Sequence, residues 1–294
     1  MAILKDKQIL EKHNFKFQKK YGQNFLTSSA IPSRIAENCT GNPVCEGEHA
    51  EETILEIGPG AGILTKELCR RYTKVCAVEI DENLIPVLAE TLSEYDNVKV
   101  INRDIMQTDL PSLVSELSEN GKYPVSVCAN LPYYITTPVI MKLIESRAGF
   151  KYITVMIQKE VARRLTAPVG GTEYGAITAA ISLYGSVKKL FDVSAGNFNP
   201  KPNVDSSVIK ISLANPPKYT EEEIKKAALL IKAAFGQRRK TLVNSLGSVS
   251  QELVTDDKAA LSVMISDILG KGADIRGEKL SADDFVRLGN AMVK

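Results

Sequence analysis

Five short runs rich in β-branched residues recur through the first half of this 294-residue chain, and they constrain its fold more than any other feature. They span residues 53–57, 75–80, 98–102, 125–129 and 153–157. Each has the length of a buried strand, and each is separated from the next by enough chain for a crossover helix. This alternation predicts a parallel sheet flanked by helices. Asp81 is expected to cap the helix after the second run, and Pro138 fits the first turn of the helix after the fourth.

The chain on either side of these runs follows other patterns. Residues 1–52 comprise a basic arm with aromatic residues, a short helix and a polar linker from Thr40 to Glu52. Two more strands are predicted at 187–193 and 207–213, and helices at 176–184, 221–235, 238–246, 257–269 and 282–293. Asn215-Pro216-Pro217 marks the change from strand to helix periodicity. We therefore predict an N-terminal segment over 1–52, an α/β domain with a mostly parallel, helix-flanked, seven-stranded sheet over 53–214, and a small all-α domain over 215–294.

The composition narrows the class of protein. Hydrophobic residues make up 44% of the chain and charged residues 24%. No apolar run approaches the roughly 18 residues that a membrane span needs, and no basic-then-apolar leader follows Met1. We expect a cytoplasmic protein with no membrane partner. The five cysteines form no Cys-x-x-Cys pair and the two histidines are too few for a cluster, so neither a disulfide nor a metal is expected.

The formal net charge is only +2, but the charges are segregated along the chain. Lysine and arginine gather at 16–20, 163–164, 188–189 and 238–240, whereas glutamate gathers at 46–52 and 221–223. Such segregation allows one basic face on a nearly neutral protein, as nucleic-acid binding requires. An ordinary solvated helix face remains the alternative for each cluster.

A glycine-rich loop, Glu56-Ile57-Gly58-Pro59-Gly60-Ala61-Gly62, follows the first predicted strand. Glycines at such a turn let a cofactor lie against bare backbone. Glu79 ends the second strand, where a carboxylate accepts hydrogen bonds from ribose hydroxyls. Asp104, after the third strand, is placed to accept from an adenine amino group, or else caps a turn. Adenosine binding is predicted. Ile63 stands where a dinucleotide-binding loop has its third glycine, but the loop does not by itself separate a nicotinamide cofactor from S-adenosylmethionine.

The tetrapeptide Asn130-Leu131-Pro132-Tyr133 follows the fourth strand. An exocyclic amino nitrogen of adenine is a poor nucleophile because its lone pair is delocalised into the ring. The Asn130 side-chain oxygen and the Leu131 carbonyl are suited to accept its two hydrogens and favour a more tetrahedral nitrogen. Pro132 makes the bend rigid, and Tyr133 offers a face on which a base can stack. No general base is required, because a sulfonium already activates the methyl group.

Four segments in this order resemble the ribosomal RNA adenine N6-dimethyltransferases across nearly the whole chain. They are Tyr21-Gly22-Gln23-Asn24-Phe25-Leu26, the glycine loop, the tetrapeptide, and Phe198-Asn199-Pro200-Lys201-Pro202-Asn203-Val204-Asp205-Ser206. A fifth, Phe235-Gly236-Gln237-Arg238-Arg239-Lys240-Thr241-Leu242, resembles the bacterial small-subunit branch more than the erythromycin-resistance methylases. The resemblance implies a Rossmann-like S-adenosylmethionine-dependent methyltransferase fold. It also implies dimethylation of two adjacent adenines in the 3′-terminal hairpin loop of 16S rRNA, within the immature small ribosomal subunit, by a monomer.

The resemblance also assigns roles to individual residues. Those implied at the S-adenosylmethionine site are Gln23, Asn24, Leu26, Gly58, Gly60, Glu79, Ile80, Asp104, Ile105 and Asn130. Tyr133 and Phe198 are implied to sandwich the target adenine, although Phe198 alternatively plugs the edge of the sheet. Arg238, Arg239 and Lys240 are expected to contact RNA phosphates, the alternative being an ordinary charged helix.

Three other functions stay open. One is a ribosome-assembly factor whose binding matters more than its catalysis. Another is a resistance methylase acting on large-subunit RNA, which the 237–240 segment disfavours. The third is a nicotinamide oxidoreductase, which Ile63 and the tetrapeptide disfavour.

Overall fold

The computed structural model describes residues 8–15, 18, 22, 24–272 and 274–294. The chain divides into two compact units. The first comprises Met1–Ala162 and Lys188–Leu213, and the second comprises Arg163–Val187 and Ala214–Lys294. We call them the sheet unit and the helical unit.

The sheet unit is built on seven strands in the order β4-β3-β2-β5-β6-β9-β7. Their bounds are β2 Ala50–Ile57, β3 Tyr72–Glu79, β4 Val98–Asn102, β5 Val125–Asn130, β6 Tyr152–Gln158, β7 Gly185–Val193 and β9 Ser206–Leu213. The pairs β4/β3, β3/β2, β2/β5 and β5/β6 are parallel, and β6/β9 is antiparallel. A separate two-stranded sheet pairs β1, Phe25–Leu26, with β8, Phe198–Asn199. The prediction of a mostly parallel seven-stranded sheet is confirmed.

Helix α1 Ala30–Glu37 precedes the first parallel strand. The parallel strands are connected, as the alternation predicts, by α2 Ile63–Cys69, α3 Ile85–Thr91, α4 Leu110–Leu117 and α5 Thr136–Glu145, and α6 Lys159–Leu165 follows the last of them. The Asp81 side chain accepts from the Asn83 amide at 3.2 Å and caps the single turn that leads into α3, which confirms its predicted role. Pro138 lies in the first turn of α5, also as predicted. Residues 53–57 of β2 are all buried because a central parallel strand is covered on both faces.

The helical unit contains α7 Ala176–Ser182, α8 Glu221–Gly236, α9 Leu242–Leu246, α10 Lys258–Leu269 and α11 Ala282–Met292. Reciprocal hydrogen bonds between Thr220 and Glu223 begin α8, and those between Ser281 and Asp284 begin α11. Leu230, Leu246, Ile265 and other buried apolar side chains form its core. Among the described residues, no helix combines the length and apolar character that crossing a bilayer demands.

The division of the chain differs from the predicted boundary at residue 214. Residues 163–187 group with the helical unit, because Tyr174, Ala179 and Leu183 are buried in its core. The Tyr174 hydroxyl also donates to the Leu280 carbonyl at 2.9 Å. The predicted linker is shorter as well, since β2 begins at Ala50. The proline-rich junction thus marks the third of three crossings between the units.

The predicted helix over 238–246 is wrong in its first half. Residues 237–239 form a turn after α8, and the next helix begins only at Leu242. Thr241 has extended backbone angles, with φ −64° and ψ 159°, and interrupts the helical path. The basic triplet therefore lies in the turn between α8 and α9.

Candidate active site

A cavity of about 340 Å³ lies in the sheet unit, at the edge where the parallel strands have their carboxyl ends. In open α/β sheets ligands bind in this crevice, because the loops after several strands converge there. Its lining includes twelve residues that the sequence analysis assigned to cofactor binding or catalysis: Asn24, Leu26, Gly58, Gly60, Glu79, Ile80, Asp104, Ile105, Asn130, Leu131, Pro132 and Tyr133. Gln23 lies outside the described residues. The structure brings the other members of both predicted groups, except Phe198, to one place.

The glycine loop forms one wall of the cavity. Gly58 has a φ of +68°, and a Cβ built on it would enter open space with nothing within 4 Å. A ligand can therefore approach the backbone where a side chain would otherwise project. Gly60 has a φ of +59°, and a Cβ there would lie 2.9 Å from Cε1 of Phe25. A positive φ favours glycine at both positions. At Gly60 the aromatic ring that packs directly on the loop also leaves no space for a side chain.

Glu79, the last residue of β3, joins the loop to the neighbouring turn. Its side chain is 4% exposed. One carboxylate oxygen accepts from the Asp81 amide at 2.9 Å and the other from the Gly60 amide at 3.3 Å. Burial raises the pKa of Glu79, and these hydrogen bonds oppose that rise. The carboxylate is thus held beside the glycine loop, where it can accept from the hydroxyls of a bound ribose.

Asp104 fits both readings of its role. Its carboxylate accepts from the Met106 amide at 2.8 Å and from the Gln107 side chain at 3.2 Å, capping the turn at Ile105–Gln107. The residue also lines the cavity. Ile80 is 46% exposed and Met106 is 38% exposed, and both line the same cavity. Together they offer apolar surface for a flat ring and a carboxylate for its polar edge.

Glu56 is a buried acid that also lines the cavity. It is 1% exposed, and burial raises the pKa of its carboxyl group to about 8. Within the described part of the chain, its Oε2 atom has no hydrogen-bond partner. Sequence reasoning treated Glu56 only as the start of the glycine loop, because spacing carries no information on burial.

The tetrapeptide continues β5 and is held by its neighbours. The Leu131 amide donates to the Met156 carbonyl of β6 at 3.2 Å. The Asn130 amide nitrogen Nδ2 donates to the Asn24 carbonyl at 3.1 Å. Because the nitrogen end of this side chain is engaged, its oxygen is the end left to accept from a substrate amino group. This orientation is what the predicted acceptor role requires.

Tyr133 and Phe198 occupy different environments. Tyr133 lines the cavity, and its hydroxyl lies 3.0 Å from Oγ of Ser206. Phe198 is 5% exposed and pairs with Leu26 between β8 and β1. It packs in the core of the sheet unit and does not line the cavity. The structure therefore places Phe198 as the edge plug that was its alternative reading, and its stacking role stays a prediction.

Other residues that sequence reasoning passed over also line the cavity. They include Gly22, Phe25, Leu84, Arg103, Met106 and Tyr134. The Tyr134 side chain is 59% exposed, and a Cβ on Gly22 would lie 3.3 Å from its ring. The aromatic pair Tyr133-Tyr134 was the available signal, since an aromatic residue beside a stacking residue is a candidate for the same surface.

The basic triplet lies in the helical unit, and its members differ in their contacts. An Arg238 guanidinium nitrogen donates to the carbonyls of Thr172 at 3.3 Å and Tyr174 at 3.1 Å, and lies 3.6 Å from Glu278. All three residues are exposed. Arg238 nevertheless ties the turn to residues of its own unit. Among the described residues, no group of three histidine, cysteine or acidic side chains is arranged to hold a metal ion.

The cavity fits S-adenosylmethionine. The bare backbone at Gly58 admits a ligand, Glu79 suits a ribose, and Ile80, Met106 and Asp104 suit an adenine. The tetrapeptide borders the same cavity, so the proposed acceptor residues lie beside the space that the cofactor would occupy. A single cavity bordered by donor-binding and acceptor-binding residues is the arrangement that direct group transfer requires.

Comparison with known proteins agrees with this chemistry. A family model described as ribosomal RNA adenine dimethylase matches residues 14–268. Similar curated proteins are named ribosomal RNA small subunit methyltransferase A. That of Bacillus pumilus is 41% identical, with 99% of this chain and 96% of that protein covered. That of Shouchella clausii is 43% identical, with 97% and 92% covered.

Solved structures with the same fold include a dimethyladenosine transferase from Plasmodium falciparum. It matches with a TM-score of 0.73 and 25% identity over 92% of this chain and 100% of that one. The 23S rRNA methyltransferase ErmE matches with a TM-score of 0.67 and 23% identity over 90% of this chain and 98% of that one. At that identity, the likeness to ErmE shows the fold alone.

Proposed function

The chain belongs to the ribosomal RNA adenine dimethylase family, and from this premise we propose that it dimethylates N6 of two adjacent adenines in the 3′-terminal hairpin loop of 16S rRNA. The family is S-adenosylmethionine-dependent. The small-subunit names of relatives more than 40% identical support the choice of RNA. The immature small subunit is the proposed substrate, late in assembly, and the enzyme is proposed to act as a monomer in the cytoplasm.

The single observation that carries the proposal is the orientation of Asn130. With Nδ2 donating to the Asn24 carbonyl, Oδ1 is directed to accept from the adenine amino group. The Leu131 carbonyl is the proposed second acceptor, and its position is fixed by the bond from the Leu131 amide to Met156. Acceptance of both hydrogens draws the N6 lone pair out of conjugation with the ring.

The donor side is held by the glycine loop and its neighbours. S-adenosylmethionine supplies a methyl group on a sulfonium sulfur, which passes to N6 while the carbon–sulfur electron pair stays on sulfur. Gly58 admits the cofactor to the backbone, Glu79 accepts from its ribose, and Asp104 accepts from its adenine. The proton lost from N6 at each transfer leaves to water, so no base is required of the chain.

The RNA is proposed to contact cations of the helical unit. Arg239 and Lys240 are exposed and suit phosphates, whose contacts position a substrate without reading its sequence. Arg238 is engaged with backbone carbonyls of its own unit, so its proposed contribution is to hold the turn.

Transfer from radiolabelled S-adenosylmethionine to under-methylated small subunits tests the proposal. The wild-type protein is expected to place four methyl groups on each subunit, two on each of the two adenines. Asn130→Ala is expected to lower the rate by at least about 100-fold, comparable to the loss of one preorganised polar group in other active sites. Asn42→Ala removes an exposed asparagine of the same unit and serves as the matched control.

The site of methylation separates the alternatives. Reverse-transcription stops in large-subunit RNA instead of 16S rRNA would identify a resistance methylase. An Asn130→Ala protein that fully supports subunit maturation in a strain lacking the enzyme would make binding, rather than catalysis, the main function. Full methylation activity in Asn130→Ala would refute the acceptor role.

A further inference from the structure

We propose that Ser206 is a positioning residue that fixes the hydroxyl end of the Tyr133 ring and thereby the second methylation of each adenine. This inference rests on the proposed function. The observation behind it is the 3.0 Å contact between the Tyr133 hydroxyl and Ser206 Oγ, which links the tetrapeptide to the start of β9.

Ser206 is itself held firmly. It is 1% exposed and pairs with Gln158 in the antiparallel β6/β9 ladder. The preceding residue, Asp205, is held by two hydrogen bonds. Its side chain accepts from the Ala195 amide at 3.0 Å, and its backbone carbonyl accepts from the Lys159 amide at 3.0 Å. A hydroxyl on such a segment is a fixed anchor.

Tyr133 reaches the same frame from the other side. Its segment leaves β5 and is tied to β6 through the Leu131 amide and the Met156 carbonyl. Met156 in turn pairs with Val208, two residues after Ser206. Both partners of the hydrogen bond are therefore positioned by β6. The phenol hydroxyl lies on the axis of the Cβ–Cγ bond, so a partner for it restrains the rotamer about the Cα–Cβ bond and with it the position of the ring.

The orientation of the ring matters most after the first methyl group has been added. Unmodified adenine offers two N–H groups, and both acceptors, the Asn130 side chain and the Leu131 carbonyl, hold it in place. Monomethyladenine has one N–H group left, so one of those hydrogen bonds is lost. Stacking on Tyr133 then carries a larger share of the positioning. A ring free to rotate should therefore impair the second transfer more than the first.

The test measures the products of single-turnover methylation of under-methylated small subunits. After nuclease digestion, chromatography separates N6-monomethyladenosine from N6,N6-dimethyladenosine. In Ser206→Ala, the first transfer is expected to slow by no more than about threefold and the second by about tenfold, as for loss of one hydrogen bond. Monomethyladenosine then accumulates. Tyr133→Phe should give the same product ratio, and the double variant should add nothing further, because both changes remove one interaction.

Ser207→Ala is the matched control. Ser207 is the next residue of β9 and is 0% exposed, and its hydroxyl donates to Asp192 at 2.7 Å, away from Tyr133. This variant loses a buried serine hydrogen bond of the same strand, so it should share any loss of thermal stability while keeping the wild-type product ratio. S-adenosylmethionine affinity, measured by calorimetry, should be unchanged in both variants.

The outcomes are distinguishable. A wild-type protein that methylates no small subunit would overturn the proposed function itself. An active wild type with an unchanged product ratio in Ser206→Ala would overturn the role of Ser206, as would an equal change in Ser207→Ala. Additive effects of Ser206→Ala and Tyr133→Phe would also contradict it.

Discussion

The carboxyl edge of the sheet and the turn between α8 and α9 both carry predicted binding residues, but they use them differently. At the sheet edge, Gly58, Glu79 and Asn130 lie at or just after the ends of separate strands and border one cavity. In the turn, three successive exposed cations separate into Arg238, bonded to carbonyls of its own unit, and its two neighbours. Strand topology gathers distant residues, whereas adjacency along the chain does not give side chains a common role.

The largest effect is expected at the sheet edge, which contains a buried carboxyl group. The dependence of protein stability on pH should reveal it. Burial raises the pKa of Glu56 from 4.5 to about 8, so the folded protein binds this proton more tightly than the unfolded chain does. The resulting stabilisation is complete below about pH 4.5 and is lost as the pH rises through about 8. The free energy of unfolding should fall by up to about 5 kcal/mol across this window, from Glu56 alone.

Glu56→Gln isolates that effect, because glutamine keeps the shape but does not titrate. Urea unfolding of the cofactor-free protein, followed by circular dichroism between pH 5 and 9, should show a shallower decline in the variant. Parallel curves for the two proteins would mean that Glu56 does not titrate in this range.

A smaller loss of stability is expected from a substitution at the place where the sheet edge packs against the N-terminal segment. Gly60→Ala places a Cβ 2.9 Å from the Phe25 ring at a φ of +59°, so the ring must move and the backbone is strained. A loss of roughly 2 kcal/mol in stability is expected, together with weaker S-adenosylmethionine binding. Thermal unfolding and calorimetry would measure both.

Gly247→Ala is the control in the helical unit. Its φ is −55° and a Cβ there would meet nothing within 4 Å, so alanine is tolerated. If the two variants were equally stable, the close approach of Phe25 to the loop would have no energetic consequence.

The smallest effects are expected in the basic turn, where the three substitutions should fall into two classes. Arg239→Ala and Lys240→Ala are each expected to reduce the dependence of log affinity for small-subunit RNA on log salt concentration by about one, as for loss of one phosphate contact. Arg238→Ala should instead lower thermal stability by about 1 kcal/mol, because it removes hydrogen bonds within the unit. Filter binding over a salt series distinguishes the two classes. An equal change in slope for all three would restore the view of the triplet as one RNA-binding group.

Features that depend on local sequence could be predicted, whereas contacts between distant parts of the chain could not. Strand-length runs and glycine spacing report local geometry, and parallel topology then forces the ends of β2, β3 and β5 together, so the cavity could be predicted. The placement of residues 163–187 could not be predicted. It depends on Tyr174 and Leu183, which are buried in a core made of residues much later in the chain. The contact between Tyr133 and Ser206 was out of reach for the same reason.

The basic triplet shows the other limit of sequence reasoning. A run of cations predicts charge but not which of its members forms hydrogen bonds within the protein, and the carbonyls of Thr172 and Tyr174 that bind Arg238 carry no sequence signal at all. Backbone acceptors belong to every residue type, so only the folded chain selects among them.

The pairing of Leu26 with Phe198 has a consequence for the order of synthesis. One wall of the cavity comes from the first tenth of the chain, but the strand that holds it emerges from the ribosome only after two-thirds has been made. A growing chain can form its five parallel strands while Phe25 still lacks its partner Asn199. The pocket is therefore completed late in translation, and a nascent chain released before β8 would have the five parallel strands without a finished site.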